Sequence, residues 1–397
     1  MPRGELARVG GVCALAFVIL ASYAVARPAT ESLFLEAHGS ARLPWVWLAV
    51  ALSASVTVAV YRRACARLAL PRLLSWALIA SGLGLVALLG LRRVWPPGAT
   101  FLLYCWKDVY IVVLVEILWS IANAVFRIAT ARWAYGLFCV AGSLGGIAAN
   151  LSVGHLSRAV GTASALWAVP PILALAGALG AWLAPLWGLG APAPTPLGAS
   201  GRGTAVVRRS RTLLLLLGLI AVVQVVVTLV DYQFNATMEA TFRDVDARTA
   251  AIGRVYAAID AGSMVLQLAT GPILRALGVR ATLLAIPVLL GAVVTAFALS
   301  PRALTISLAK IGSKVFDYSL FRAAKETLYL PLSYPEKTEG KAVVDVLTYR
   351  VSKAGASLLL LALAASAVTP TALVLLLAWL ALTEAVTRKA TATGEAR

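Results

Sequence analysis

The stretch KVFDYSLFRAAKETLYLPLSYPEKTEGKAVVDVLTYRVSKAG, Lys314 to Gly355, decides how this chain is read. It carries Lys314, Asp317, Arg322, Lys325, Glu326, Lys341, Asp345, Arg350 and Lys353, while the chain on either side is mostly Leu, Ala, Val and Gly. Some of these charges fall inside segments apolar enough to cross a bilayer. A charge near the bilayer centre costs roughly 2.5–3.5 kcal/mol on the insertion scale. Such a residue persists by pairing or by facing a wet cavity, and is a functional candidate by default.

Working outward, the 397 residues are 60% hydrophobic and only 13% charged, with a mean hydropathy of +0.87. Apolar runs long enough to span recur along the whole chain, which reads as an all-α, multi-pass membrane protein. Twelve spanning helices are predicted near 10–27, 43–61, 73–91, 99–125, 132–153, 163–187, 212–233, 249–270, 280–299, 303–322, 342–365 and 369–386. The N-terminus MPRGELARVGGVCALAFVILASYAVARPA imitates a signal peptide. It is read here as the first spanning helix, because its removal breaks the even count.

With both termini placed in the cytoplasm, roughly three times as many Lys and Arg fall on inside connectors as on outside ones, as the positive-inside rule demands. That explains most of the net charge of +18 as topology and contact with anionic lipid, not nucleic-acid binding. The connector 188–211, GLGAPAPTPLGASGRGTAVVRRSR, reads as a flexible cytoplasmic linker. It separates two six-helix halves, 1–187 and 212–397, as in a transporter built from parallel repeats. A weak internal match agrees. Gly146 lies fourteen residues after Arg132, and Gly355 fourteen after Lys341, each in a run of small residues suited to close helix packing.

The bases left within spans are Arg27, Lys107, Arg254, Lys310, Lys314, Arg350 and Lys353; the acids in or beside spans are Glu31, Asp108, Glu116, Asp231, Asp260, Asp317 and Asp345. At about 1.5 Å per residue, Lys310 lies about 9–12 Å deep and Lys314 about 15–18 Å deep, one turn apart on one face. Their repulsion is relieved by a bound anion. Lys107, Arg350 and Lys353 reach a similar depth, near the midplane where transporters commonly bind their solutes. The competing reading is internal neutralisation: Lys314 by Asp317, Lys107 by an acid on a neighbouring helix, and Arg350 or Lys353 by Asp260. Arg322/Glu326 and Lys341/Asp345 are spaced as same-face pairs at solvated helix ends. Trp106, Tyr110, Tyr232, Phe234, Tyr256, Tyr318, Phe321 and Tyr349 interleave the charges, offering faces on which a base could stack.

Catalytic signatures are missing: no G-x-x-x-x-G-K-[ST], H-E-x-x-H or G-x-S-x-G occurs. The four cysteines show no ligand spacing, and His38 and His155 have no metal-ligand company. An enzyme is not expected, nor a cofactor or metal.

The opening stretch resembles the ATP/ADP translocase family of plastids and obligate intracellular bacteria, a branch related to the major facilitator fold. The resemblance rests on Tyr318-Ser319-Leu320-Phe321, Lys325-Glu326, Tyr329, Pro331-Leu332, Lys337, Gly340-Lys341-Ala342 and Asp345-Val346. Leu118 to Asn123, Thr228 to Phe234 and the loop from Arg27 are similar in outline. The chain departs from the family at Thr30-Glu31, Lys107-Asp108, Asn235 and Arg322-Ala323-Ala324, which marks a divergent bacterial member. Lys325 and the helix-seven acid Asp231 carry over best. The resemblance implies that helices one, four, seven and ten line a central cavity, and Arg27, Lys107, Glu116, Asp231, Lys310 and Lys314 all lie on those four.

The expectation is therefore a major-facilitator-like, alternating-access carrier in a bacterial inner membrane, monomeric, exchanging a small anionic, nucleotide-like solute of the ATP/ADP type. Lys107, Lys310, Lys314 and Lys353 are expected to hold phosphates. Asp231 and Asp260 supply pairs that exchange with substrate. Arg27, Arg254, Lys325 and Arg350 complete the substrate-binding set. Two other readings stand beside it: a proton-coupled facilitator for another organic anion or a drug, with Asp108, Glu116 or Asp260 titrating, and a non-transporting membrane partner or sensor.

Overall fold

The computed structural model describes residues 3–189, 201–330 and 332–395, and among these no strand occurs. Fourteen helices follow in order: α1 Arg3–His38, α2 Leu43–Cys65, α3 Leu70–Val94, α4 Pro96–Val125, α5 Ile128–Val160, α6 Thr162–Ala165, α7 Val169–Trp187, α8 Gly201–Arg209, α9 Arg211–Thr241, α10 Val245–Leu299, α11 Ala303–Phe316, α12 Arg322–Leu328, α13 Lys341–Ala362 and α14 Val368–Glu395. Nine helical segments among the described residues are long and apolar enough to cross a membrane. A helix is the form such segments must take, since lipid offers no partner to a backbone N–H or C=O.

Outward faces are apolar as well as inward ones. α3 buries Leu74, Leu78, Leu85 and Leu89 on one side and exposes Trp76, Ile79, Leu83 and Val86 on the other. α2 exposes Leu52, Val56 and Val60 at four-residue spacing. Water would not tolerate such surfaces; hydrocarbon does. α1 is buried over 67% of its apolar window, the largest share among these segments, which is the pattern of an inner helix.

The segments predicted at 249–270 and 280–299 are continuous in α10 apart from one break. Gly278 has φ 74° and ψ 165°, a conformation open to a residue without Cβ, and the helix turns there. The segment predicted at 303–322 is divided. α11 passes into a π-helical turn, Asp317–Phe321, and then into α12. A π turn inserts a residue into the ladder and commonly marks a functional position. The expected linker 188–211 lies partly outside the described residues, and its end forms α8, a short helix against the turn 336–340 and α13.

The chain forms two compact units. One holds the described residues up to 42, with 49–189 and 239–261; the other holds 43–48, 201–238 and the described residues from 262 onward. In the first, α1 packs on α5, α4 and α7, and α3 packs on α4 and α7. Small residues set the approach, because lipid tails remove the hydrophobic drive and leave packing to decide helix contacts. A Cβ on Gly145 of α5 would run into the Phe17 backbone of α1. One on Gly253 of α10 would stand 2.6 Å from the Asn150 carbonyl oxygen. The parallel position in the internal match does not behave this way: a Cβ on Gly355 would meet nothing within 4 Å. α13 instead buries Ala356 and Ser357 completely, both 0% exposed.

Candidate functional site

Apart from Arg248, which donates to the Ser32 and Phe242 carbonyls, the buried charges are lysines, and they gather with acids in one cluster in each unit. In the first unit, α1 brings Arg27 and Glu31 onto one face, four residues apart, with Arg27 Nε 3.4 Å from Glu31 Oε1. Lys107 of α4 is 1% exposed. Its ammonium lies 2.8 Å from Asp108 Oδ1 and 3.6 Å from Glu31 Oε1, and 3.9 Å from the centre of the Tyr104 ring. Tyr256 of α10 donates to Glu31 Oε2 at 2.6 Å, and the Arg27 guanidinium lies over its ring at 3.7 Å. Tyr23 donates to Asp108 at 3.4 Å. One turn beyond Tyr256, Asp260 accepts from Asn150 Nδ2 at 3.0 Å, and a Cβ on Gly146 would press into its carboxylate. Two cations and two acids thus meet among aromatic faces, where a guanidinium is held by cation–π attraction as well as charge.

In the second unit, Asp231 of α9 lies between two lysines of α11. Lys310 Nζ stands 2.6 Å from Oδ1, and Lys314 Nζ 3.0 Å from Oδ2. Side-chain exposure is 2% for Lys310, 10% for Lys314 and 18% for Asp231. The Lys310 ammonium also lies 5.1 Å from the centre of the Phe234 ring.

The structure corrects the expected pairings. Lys314 takes Asp231 on another helix, not Asp317 in its own next turn. Lys325 takes Asp345 at 2.7 Å, and Lys341 takes Glu326 at 2.5 Å, so the anticipated Arg322/Glu326 and Lys341/Asp345 pairs give way to partners across α12 and α13. Tyr329 also donates to Asp345, at 3.2 Å. Burial, and after it the Asp345 carboxylate, pushes the Tyr329 phenol well above its ordinary range, so it remains a donor.

Of the expected binding residues, Arg27 and Lys107 come together through Glu31, with Asp260 on the α10 face that supplies Tyr256. Asp231, Lys310 and Lys314 form the second group. Arg254 and Glu116 are exposed, and Lys353 is half-buried on α13. The side chain of Arg350 lies outside those described. Glu31, Tyr104 and Asn150 were not singled out as site residues. Glu31 and Tyr104 were legible from helical spacing, four residues from Arg27 and three from Lys107; Asn150 carries no sequence signal, because its partner Asp260 lies on another helix.

Comparison with known proteins places the second cluster in context. Residues 291–389 match the family model described as TLC ATP/ADP transporter. ADP,ATP carrier protein 1 of Chlamydia trachomatis is 47% identical over 49 residues, 12% of this chain and 9% of that one. ADP,ATP carrier protein 1 of Chlamydia pneumoniae is 24% identical over 329 residues, 70% of this chain and 62% of that one. The match thus spans less than two thirds of the length of either carrier. Among solved structures, a bacterial homologue of the iron transporter ferroportin, in an inward-facing state, superposes with a TM-score of 0.70 at 13% identity, covering 97% of this chain and 99% of that one. By these matches segment 291–389, with Lys310 and Lys314 inside it, is similar to the TLC ATP/ADP transporter family, and the helical frame that carries it has the fold of that solved transporter structure.

Proposed function

We propose that the protein is an alternating-access membrane transporter that exchanges an anionic, nucleotide-like solute. The observation that carries this reading is the convergence of Lys310 and Lys314, both within the family-matched segment, on the single carboxylate of Asp231. Two buried ammonium groups sharing one carboxylate form a receptor that a phosphate can enter by displacing that carboxylate. Charge-assisted contacts are the strong ones, and a phosphate offers more acceptor oxygens than Asp231 does. When the solute leaves, Asp231 takes the lysines back and no bare charge is left buried. Lys107 and Lys353 are further phosphate ligands in this reading, with Arg27, Arg254, Lys325 and Arg350 completing the set. Asp260 is the acid that exchanges partners in the first unit. The returning solute resets an exchanger, so no coupling ion is required.

The same reading takes the membrane topology as twelve spans with both termini cytoplasmic, in two halves joined by 188–211. α10 counts twice, divided at Gly278, and α11 with α12, and α13, each cross once. The protein acts as a monomer in a bacterial inner membrane. Single cysteines placed at connectors and labelled from one side only would report the topology.

Proteoliposomes loaded with ADP or ATP are expected to take up labelled nucleotide, while empty ones take up little. If loading makes no difference to uptake of any nucleotide tested, the exchange reading is lost. Proton coupling is favoured by one observation. Asp260 accepts from the neutral amide of Asn150, where the other acids of the cluster meet a cation at 3.6 Å or less. Uptake driven by a pH gradient without internal solute, and abolished in Asp260→Asn, would decide for that mechanism.

A further inference from the structure

A cavity in the first unit is lined by none of the residues of the charge cluster. α3 ends in Arg92, Arg93 and Val94, and these two arginines, with Leu89, Ala163, Ser164 and Trp167, line a cavity of about 220 Å³. Basic residues at a helix C-terminus ordinarily turn to the last carbonyls. These do not: neither guanidinium has a hydrogen-bond or ion-pair partner among the described residues, and Arg92 Nε is buried without an acceptor. A buried guanidinium N–H left unmatched is costly, and the group it fits best is a carboxylate or phosphate approached side-on. The opposite wall is held in place. Asp246 Oδ1 accepts from both the backbone N–H and the hydroxyl of Thr162, each at 2.6 Å, which anchors the turn bearing Ser164 and Trp167.

A second, apolar groove lies one turn back along α3, between it and α7, which follows the turn bearing Trp167. Ser75, Ile79, Gly82, Leu83 and Val86 of α3 face Pro170, Leu173, Ala174 and Gly177 of α7 around about 450 Å³. From Val86 to Ser75 the groove runs about 16 Å along α3. That is about half the 30 Å hydrocarbon thickness, the depth of one leaflet. Trp167, which lines the cavity, is 46% exposed, and Trp marks the membrane–water interface. Gly82 keeps the groove open, since a Cβ there would meet nothing within 4 Å.

We propose that this composite site binds an anionic phospholipid, its phosphate on Arg92, Arg93 and Ser164 and one acyl chain in the α3–α7 groove. A soluble phosphate fits the cavity but leaves the groove empty; a neutral lipid fits the groove but brings a headgroup whose own cation opposes the arginines. The site requires only that the chain spans a membrane and is independent of the transported solute.

The test uses the full chain purified in detergent, titrated with phosphatidylglycerol, phosphatidylcholine or glycerol phosphate, with bound lipid read by native mass spectrometry and folding by thermal unfolding. Wild type is expected to retain phosphatidylglycerol in preference to the other two. Arg92→Gln should weaken that binding about tenfold, the loss of one charge-assisted contact. Gly82→Leu, which has room for its side chain, should weaken it by filling the groove, and decides the matter if Arg92→Gln does not fold. The proposal is overturned if glycerol phosphate binds as tightly as phosphatidylglycerol, if both variants bind like wild type, or if Arg275→Gln, an exposed arginine elsewhere, produces the same loss.

Discussion

Lys310 Nζ lies 2.6 Å from Asp231 Oδ1, joining α11 to α9 through two side chains that sequence order sets 79 residues apart. Lys314 takes the other oxygen of the same carboxylate. Asp231 is therefore the counter-charge of both lysines, and its removal has a defined cost. Breaking a buried pair by deleting one partner destabilises by about 3–5 kcal/mol. Asp231→Asn is expected to unfold at markedly lower temperature than wild type. Added ATP should restore more stability to Asp231→Asn than it adds to wild type, because the phosphate replaces the missing carboxylate. An equal or smaller shift in the variant, measured by thermal unfolding with and without nucleotide, would remove the displacement mechanism.

Lys107 holds the first unit's cluster together. It is 1% exposed and faces Glu31 and Asp108. Lys107→Met removes the ammonium that Asp108 and Glu31 share, leaving Glu31 to Arg27, and should cost about 3–5 kcal/mol. Adding Glu31→Gln to it should recover part of the loss. Thermal unfolding of the two single variants and the double provides the measurement.

The crossed pairs at the ends of α12 and α13 differ in worth. Lys341–Glu326 is 32% and 45% exposed, so its coupling should fall below about 1 kcal/mol and vanish in high salt. Lys325–Asp345 is 14% and 26% exposed and shares its acid with Tyr329, and should couple more strongly. Double-mutant cycles at low and high ionic strength separate the two. Coupling between Lys341 and Asp345 in place of these would contradict the structure.

Glycine contacts give a paired test of packing. Gly145→Ala drives a methyl group into the α1 backbone at Phe17 and should destabilise by about 1–3 kcal/mol. Gly355→Ala meets open space within a helix and should be neutral or stabilising by up to about 1 kcal/mol. Equal effects in thermal unfolding would mean that α1 and α5 are not packed as described.

Much of the architecture was legible because apolar length is a local property. A run such as LLLLLGLIAVVQVVVTLV can only become a helix in lipid, and a break between the two halves of α10 was marked by the charges Arg275 and Arg280 that flank Gly278. The burial of Lys107, Lys310 and Lys314 was equally readable, since each stands well inside an apolar run. The signature from Tyr318 to Val346 was readable as a string, and it is the part of the chain that the family model matches.

The partners of those charges were not readable. Helical spacing says which residues share a face, and on that basis Lys314 belonged with Asp317, Arg322 with Glu326 and Lys341 with Asp345. Packing decided otherwise, because an ion pair forms where two helices bring their charges within about 4 Å, and that distance depends on side chains far away in the sequence. The same holds for the α3–α7 groove. Arg92 and Arg93 look from sequence like two more positive residues in a connector, and only the fold sets them over a cavity lined by Ser164 and Trp167 and above a cleft kept open by Gly82. The sequence by itself determined which segments are helical and lipid-facing and which charges must be buried, since hydropathy acts residue by residue. The tertiary structure alone decided which charges answer one another, since that is set by contacts between helices.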